Sequence, residues 1–300
     1  METEAQALAD RLPELVLEAL RVANTVAHGI HGRRRAGSGE TFWQFRQFQA
    51  SDPAAAIDWR RSASSDHLYV REREWEAAHT FWLWPDVSAS MAFQSHLAHA
   101  SKRDRALVLT LAFCELLVRA GERVALLGIT PPLASRKATS RIAEAIAAKE
   151  ADVTRPASLP PSVRLSRFST ALLIGDFLEP PEAIAQCITA MAAGGVIGHL
   201  VQILDPAEEA LAYEGRMEFR SPEDGERFIA ERVETLRPAY RRKLLAHRAA
   251  IEEAVRRIGW SFLVHHTDRP AAEPLLALMA RLEGMAGDYR WMPVPAGPLS

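Results

Sequence analysis

Cysteine is scarce: Cys114 and Cys187 are the two in 300 residues. They lie far apart and lack metal-ligand spacing, which gives no support for a disulfide framework and fits a reducing compartment such as the cytoplasm. A dominant charge is also missing. With 36 Lys+Arg against 38 Asp+Glu the formal net charge is -2, so a chain dominated by phosphate binding is not indicated and nucleic acid is not the expected partner. Long apolar runs are absent too. The most hydrophobic stretch, 106–129, is interrupted by Glu115, Arg119, Glu122 and Arg123, so no segment supplies the roughly 20 apolar residues of a membrane helix. The opening METEAQALADRLPELVLEAL carries acids where a signal peptide needs basic residues. Neither membrane insertion nor secretion is expected. Gly37-Ser38-Gly39 lacks the Gly-Lys-Ser/Thr of a phosphate-binding loop and follows a helical pattern instead of a strand.

The 48% hydrophobic content suffices for a sizeable core in one large domain or two ordinary ones. Leu8, Leu12, Leu15, Val16, Leu20 and Val26 recur at mostly three- and four-residue steps, which predicts an amphipathic helix packed on the main body. A Gly- and Arg-rich loop follows at 28–40. Phe42, Trp43, Phe45 and Phe48 then surround Arg46, and after the turn-like SDPAAA the alternation of Leu68 and Val70 reads as a strand. Residues 1–75 are therefore expected to form an N-terminal α+β extension, with the main domain at 76–300.

From residue 78 onward, short apolar runs alternate with helical stretches, the mark of a parallel sheet with crossover helices. Strands are predicted at 80–85, 123–129, 171–175, 198–204 and 260–265, and helices at 101–120, 140–149, 181–193, 223–258 and 270–283. The expected fold class is α/β, a doubly wound, mostly parallel sheet flanked by helices.

The first of these strands runs into Asp86-x-Ser88-x-Ser90. In an open parallel sheet, ligands sit outside the carboxyl ends of the strands. Three oxygen side chains at alternate positions of such a loop suit a hard cation, which takes oxygen ligands and keeps several waters. A second acid follows another buried-strand run in Ala171-Leu-Leu-Ile-Gly-Asp176, which makes Asp176 the natural partner. The competing account is local: Asp86 and the serines cap the next segment and satisfy loop amides.

DVSASM together with LLIGD resembles the von Willebrand factor A domain. GSGETFWQFRQF, SDPAAAIDWRRSAS and LYVREREWE resemble the segment that precedes this domain in bacterial proteins of domain-of-unknown-function family 58. The resemblance implies a metal-ion-dependent adhesion site that holds Mg²⁺, or Mn²⁺ or Ca²⁺, on Asp86, Ser88, Ser90, a Thr from a second loop and Asp176. The usual Gly-Gly-Thr is absent, and Thr139 is the nearest counterpart. The resemblance further implies a non-enzymatic adaptor working with a MoxR-type AAA+ ATPase and a client protein that offers an Asp or Glu to the metal. A metal-dependent hydrolase or phosphotransferase using Asp86 is the alternative. It needs a positioned base, and Ser88 stands where an aspartyl-phosphate enzyme carries its second acid.

Other residues have plainer readings. Arg33 to Arg35 are expected to be solvated or paired, and the charges around Asp58, Trp59 and Arg60 and along 71–74 to pair internally. His265 and His266 are adjacent on a strand and so point to opposite faces, which makes joint metal binding awkward.

Overall fold

The computed structural model describes residues 2–31, 42–49, 57–73 except 64 and 66, 78–152, 157–222 and 225–288. Of the Gly/Arg loop expected at 28–40, residues 28–31 belong to the first helix and residues 32–40 lie outside the described residues, as do the SDPAAA turn and the expected domain boundary at 75/76. In chain order the elements are α1 (Glu2–His31), β1 (Phe42–Gln47), α2 (Trp59–Ser62), β2 (Tyr69–Arg73), β3 (Thr80–Pro85), α3 (Lys102–Arg119), β4 (Arg123–Leu126), α4 (Ala138–Asp152), β5 (Thr170–Gly175), α5 (Pro181–Ala193), β6 (Ile197–Leu204), α6 (Pro206–Ala210), β7 (Met217–Arg220), β8 (Arg227–Ala230), α7 (Val233–Arg257), β9 (Ser261–His266) and α8 (Ala272–Asp288). A 3-10 turn, Ala89–Ala92, follows β3.

Five strands form a parallel sheet in the order β4-β3-β5-β6-β9. Counted within the sheet this is 2-1-3-4-5, so the chain winds outward in both directions from the gap between β3 and β5. That gap is the topological switch point, where such sheets open a crevice at their carboxyl ends. Period-two alternation sends neighbouring side chains to opposite faces. On β5, Leu172 and Ile174 join one core with residues of α1, α3, α4 and α8, while Ala171 and Leu173 join the other with residues of α5 and α7. Both faces are covered, which is why β5 is buried along its whole length. The α/β architecture and its doubly wound parallel sheet flanked by helices agree with the sequence expectation.

The helix α1 belongs to this body. Leu15, Ala19, Ala23 and Val26 are buried in the first core, and the two alanines let the helix approach closely. Arg11 of α1 also pairs with Asp104 of α3 at 2.6 Å. The chain accordingly divides into one unit of residues 1–30 and 79–300 and a second of 31–78. This departs from the division 1–75 and 76–300, because the apolar stripe of α1 buries against the α/β core.

Within the smaller unit, β1 and β2 pair antiparallel. Asp58 caps α2 by accepting from the Arg61 amide at 2.9 Å, and the Ser62 hydroxyl accepts from the Tyr69 amide at 2.9 Å. Asp58 is thus a local cap, as its position before a short helix allows.

One element differs in kind from expectation. The helix predicted over 223–258 starts at Val233, and the residues before it form the hairpin β7–β8. Gly225, at φ 77°, occupies the left-handed region in the connection, and Phe219 stacks across the strands on Phe228 with centroids 6.5 Å apart. Phe228 therefore belongs to a cross-strand pair, and Val233, with no exposure, begins the apolar stripe of α7.

Candidate functional site at the sheet switch point

Asp86 and Asp176 each follow one of the two strands flanking the switch point. The Asp86 amide donates to the Ile174 carbonyl at 2.7 Å, which ties the first loop to the end of β5. Gly175 permits this approach, since a Cβ there would lie 2.9 Å from Asp86 Cβ. Asp86 Oδ1 accepts from the Ser88 amide at 2.8 Å, closing the loop as an Asx turn. The Ser88 and Ser90 hydroxyls lie 3.3 Å apart, and Ser90 Oγ donates to Asp176 Oδ2 at 2.7 Å. Phe177, directly after Asp176, has φ 49° and is nonetheless a fully buried non-glycine residue. Strain of this kind collects at functional sites.

The second oxygen of Asp86 stands out. Oδ2 is buried without a hydrogen-bond partner. Burial, helped by the charge of Asp176 and opposed by hydrogen bonds from Ser88 and the charge of Lys102, pushes its carboxyl up to about 7. A buried, unpartnered carboxylate oxygen beside two hydroxyls invites a cation or a proton.

The structure brings Asp86, Ser88, Ser90 and Asp176 together but leaves Thr139 elsewhere. Thr139 Oγ1 donates to Glu115 Oε2 at 2.7 Å and contacts Cys114 Sγ at 3.7 Å, both far along α3. Glu115 lies 13 residues beyond Lys102 on that helix, a rise of about 20 Å. The expectation for Thr139 is corrected: α4 starts beside the C-terminal half of α3, away from the strand ends that carry Asp86 and Asp176.

In place of a third hydroxyl loop stands a residue that the sequence reading did not single out. Lys102, the first residue of α3, is completely buried, and its Nζ donates to Asp176 Oδ2 at 2.9 Å and to Glu208 Oε1 at 2.7 Å. The ring of Phe93 lies 5.9 Å from the same ammonium. Burial disfavours the charge, yet the Asp176 and Glu208 carboxylates outweigh it and hold the ammonium above the ordinary lysine range. Burial pushes Glu208 upward, against the pull of Lys102. A cation in the first turn opposes the helix dipole, and that was the available sequence signal. Glu208 was legible as well, through the Asp205-Pro-Ala-Glu208 pattern of a capping box. Asp205 accepts from the Ala207 amide, Glu208 accepts from the Asp205 amide at 3.0 Å, and Asp205 Oδ2 takes the Ser95 amide at 2.8 Å.

A further layer fixes Asp176 from behind. Gln202 Nε2 donates to the Asp176 carbonyl at 2.9 Å, and Arg248 holds Gln202 Oε1 at 3.2 Å while pairing with Glu209. His265 and His266 do not act together: His265 is buried, and His266 faces Glu209 at 3.4 Å.

As a cation site the cluster offers only oxygens, two carboxyls and two hydroxyls, and these suit a hard divalent ion. Among the described residues no group of three or more His, Cys, Asp or Glu could hold a metal by itself. The serines are therefore needed to complete any protein-derived shell.

The family described as "Protein of unknown function DUF58" matches residues 44–250. The chain belongs to the DUF58 family. The uncharacterized protein Rv1480 of Mycobacterium tuberculosis and the uncharacterized protein Mb1516 of Mycobacterium bovis are each 26% identical to it over 278 residues, covering 87% of this chain and 86% of the relative. Two solved structures are similar to this DUF58 protein over 69% of its chain and 100% of theirs, each with a TM-score of 0.42. They are the conserved hypothetical protein BatB from Bacteroides thetaiotaomicron, at 13% identity, and an aerotolerance-related membrane protein from Bacteroides fragilis, at 14%. Among the described residues of the present chain, no helix is long and apolar enough to cross a membrane.

Proposed function

We propose that this protein is a non-enzymatic, cytoplasmic adaptor that binds a partner through the carboxyl end of its sheet. In this reading Asp86, Ser88, Ser90 and Asp176 hold a divalent cation, Mg²⁺ or alternatively Mn²⁺ or Ca²⁺. The observation that carries the reading is the buried, unpartnered Oδ2 of Asp86 beside the two serine hydroxyls. When bound, the ion supplies a positive charge that an Asp or Glu from a partner protein neutralises. The chain's own residues do the positioning. The Asx turn fixes the Asp86 loop, Gln202 and Arg248 brace the Asp176 backbone, and the close contact at Gly175 holds the two strand ends together.

An Asp86 nucleophile fits the geometry less well. A carboxyl pushed up to about 7 by burial is largely protonated below neutrality and so weakly nucleophilic. Ser88, donating its amide to Asp86, occupies the position where an aspartyl-phosphate chemistry needs an acid. The partners proposed are a MoxR-type AAA+ ATPase and a client protein that it remodels or matures. The test is a pull-down of the ATPase or its client by the purified protein in Mg²⁺. Wild type is expected to retain the partner in Mg²⁺ and release it in EDTA, and Asp86→Ala to lose it. Equal retention by Asp86→Ala and wild type removes the metal bridge.

A further inference from the structure

Resting on the cation-site reading above, we infer that Lys102 is an internal cation competing with the metal for Asp176, so that it closes the metal-free site and keeps metal affinity low. Two carboxyl groups converge on its ammonium from separate strand ends, Asp176 after β5 and Glu208 in the helix after β6. Neither contact is a surface pairing. The Lys102 side chain has no exposure and that of Asp176 has 3%, so solvent does not screen the attraction as it does for exposed ion pairs.

The competition is settled at one atom. Asp176 Oδ2 already receives both Ser90 Oγ at 2.7 Å and Lys102 Nζ at 2.9 Å, while its Oδ1 receives the Leu178 amide at 3.4 Å. A divalent ion reaching Asp176 Oδ2 meets the ammonium there, and two positive charges sharing one carboxylate oxygen repel. An ion therefore binds in full only when the ammonium gives way, and Glu208 offers the place to go, because it already holds Nζ at 2.7 Å. Lys102 thus makes loading reversible and partner-dependent: a partner carboxylate, by adding negative charge at the ion, favours the loaded state over the lysine-closed one.

A neutral side chain of similar length removes the competing ammonium from Asp176 Oδ2. The experiment is calorimetric titration of Mg²⁺ and Mn²⁺ into wild type, Lys102→Met and Lys102→Gln, alongside melting curves with and without 5 mM Mg²⁺ (about the level needed to saturate a weak site by mass action). Both variants are expected to bind Mg²⁺ at least about tenfold more tightly than wild type, and to gain more melting temperature from Mg²⁺ than wild type does. Binding no tighter than wild type overturns the inference. Should a variant be too unstable for titration, recovery of its fold in Mg²⁺ supports the inference, and instability that Mg²⁺ does not relieve overturns it. This outcome is separable from the adaptor reading, whose test is partner retention by Asp86→Ala and does not involve Lys102.

Discussion

Lys102 and Asp176 form a buried ion pair, Nζ to Oδ2 at 2.9 Å, that joins the first turn of α3 to the end of β5. Removing one partner of such a pair leaves an uncompensated buried charge and costs about 3–5 kcal/mol. In Asp176→Asn the ammonium keeps Glu208, so the expected loss lies near the lower end of that range. Urea unfolding of wild type and variant in EDTA measures it, and a loss below about 0.5 kcal/mol would show that the pair contributes little.

Two buried histidines predict how stability depends on pH. Burial, then the charge of Arg281, pushes His199 down to about 4, and burial, then Arg105 and His266, pushes His265 down to about 3. Folded, both stay neutral well below the unfolded value of about 6.5. The unfolded chain then binds more protons below pH 6.5, so their contribution is complete above that pH and is lost as pH falls toward 4 and 3. Asp86, pushed up to about 7, acts in the opposite sense, its folded state favoured as pH falls from 7 toward 4. The histidine effect is therefore isolated by difference. The stability of wild type minus that of His265→Gln is expected to shrink by up to about 1.4 kcal/mol per pH unit between 6.5 and 4. A difference that stays flat over that interval refutes the burial argument.

Much of this arrangement was legible in the sequence because it is local. The strands 80–85 and 171–175 are apolar runs bounded by turn formers, and each is followed by the acid that it places at the switch point. Asp86, Ser88 and Ser90 could be read together for the same reason. What was not legible depends on which helices and strands pack together. Thr139 looked available because a threonine begins the helix after the second sheet strand, but the seating of α4 against Cys114 and Glu115 takes it elsewhere. Lys102 and Glu208 are 106 residues apart, and no spacing rule joins them. Their individual anomalies, a cation at a helix start and an acid in a capping box, mark the two residues without showing that they meet. The hairpin β7–β8 was hidden for a different reason: Phe228 reads as part of one helical apolar stripe with Val233, and the pairing with β7 overrode that local preference.

The placement of Thr139 separates it from the cluster of Asp86, Ser88, Ser90 and Asp176 at the strand ends. Its hydroxyl is spent on Glu115 at 2.7 Å, on the part of α3 that lies about 20 Å along the axis from Lys102. Thr139→Val keeps the shape and deletes the donor, which leaves Glu115 with Arg119 as its neighbour at 2.8 Å. The expected cost in stability is about 0.5–1.5 kcal/mol, the net worth of one hydrogen bond. Mg²⁺ affinity is expected to stay within about twofold of wild type, because the ligands proposed are Asp86, Ser88, Ser90 and Asp176 at the strand ends, whereas Thr139 pairs with Glu115 far along α3. Calorimetric titration of Thr139→Val decides the matter: a tenfold loss of Mg²⁺ affinity with the fold intact would bring Thr139 back into the site and require α4 to move toward the strand ends on loading.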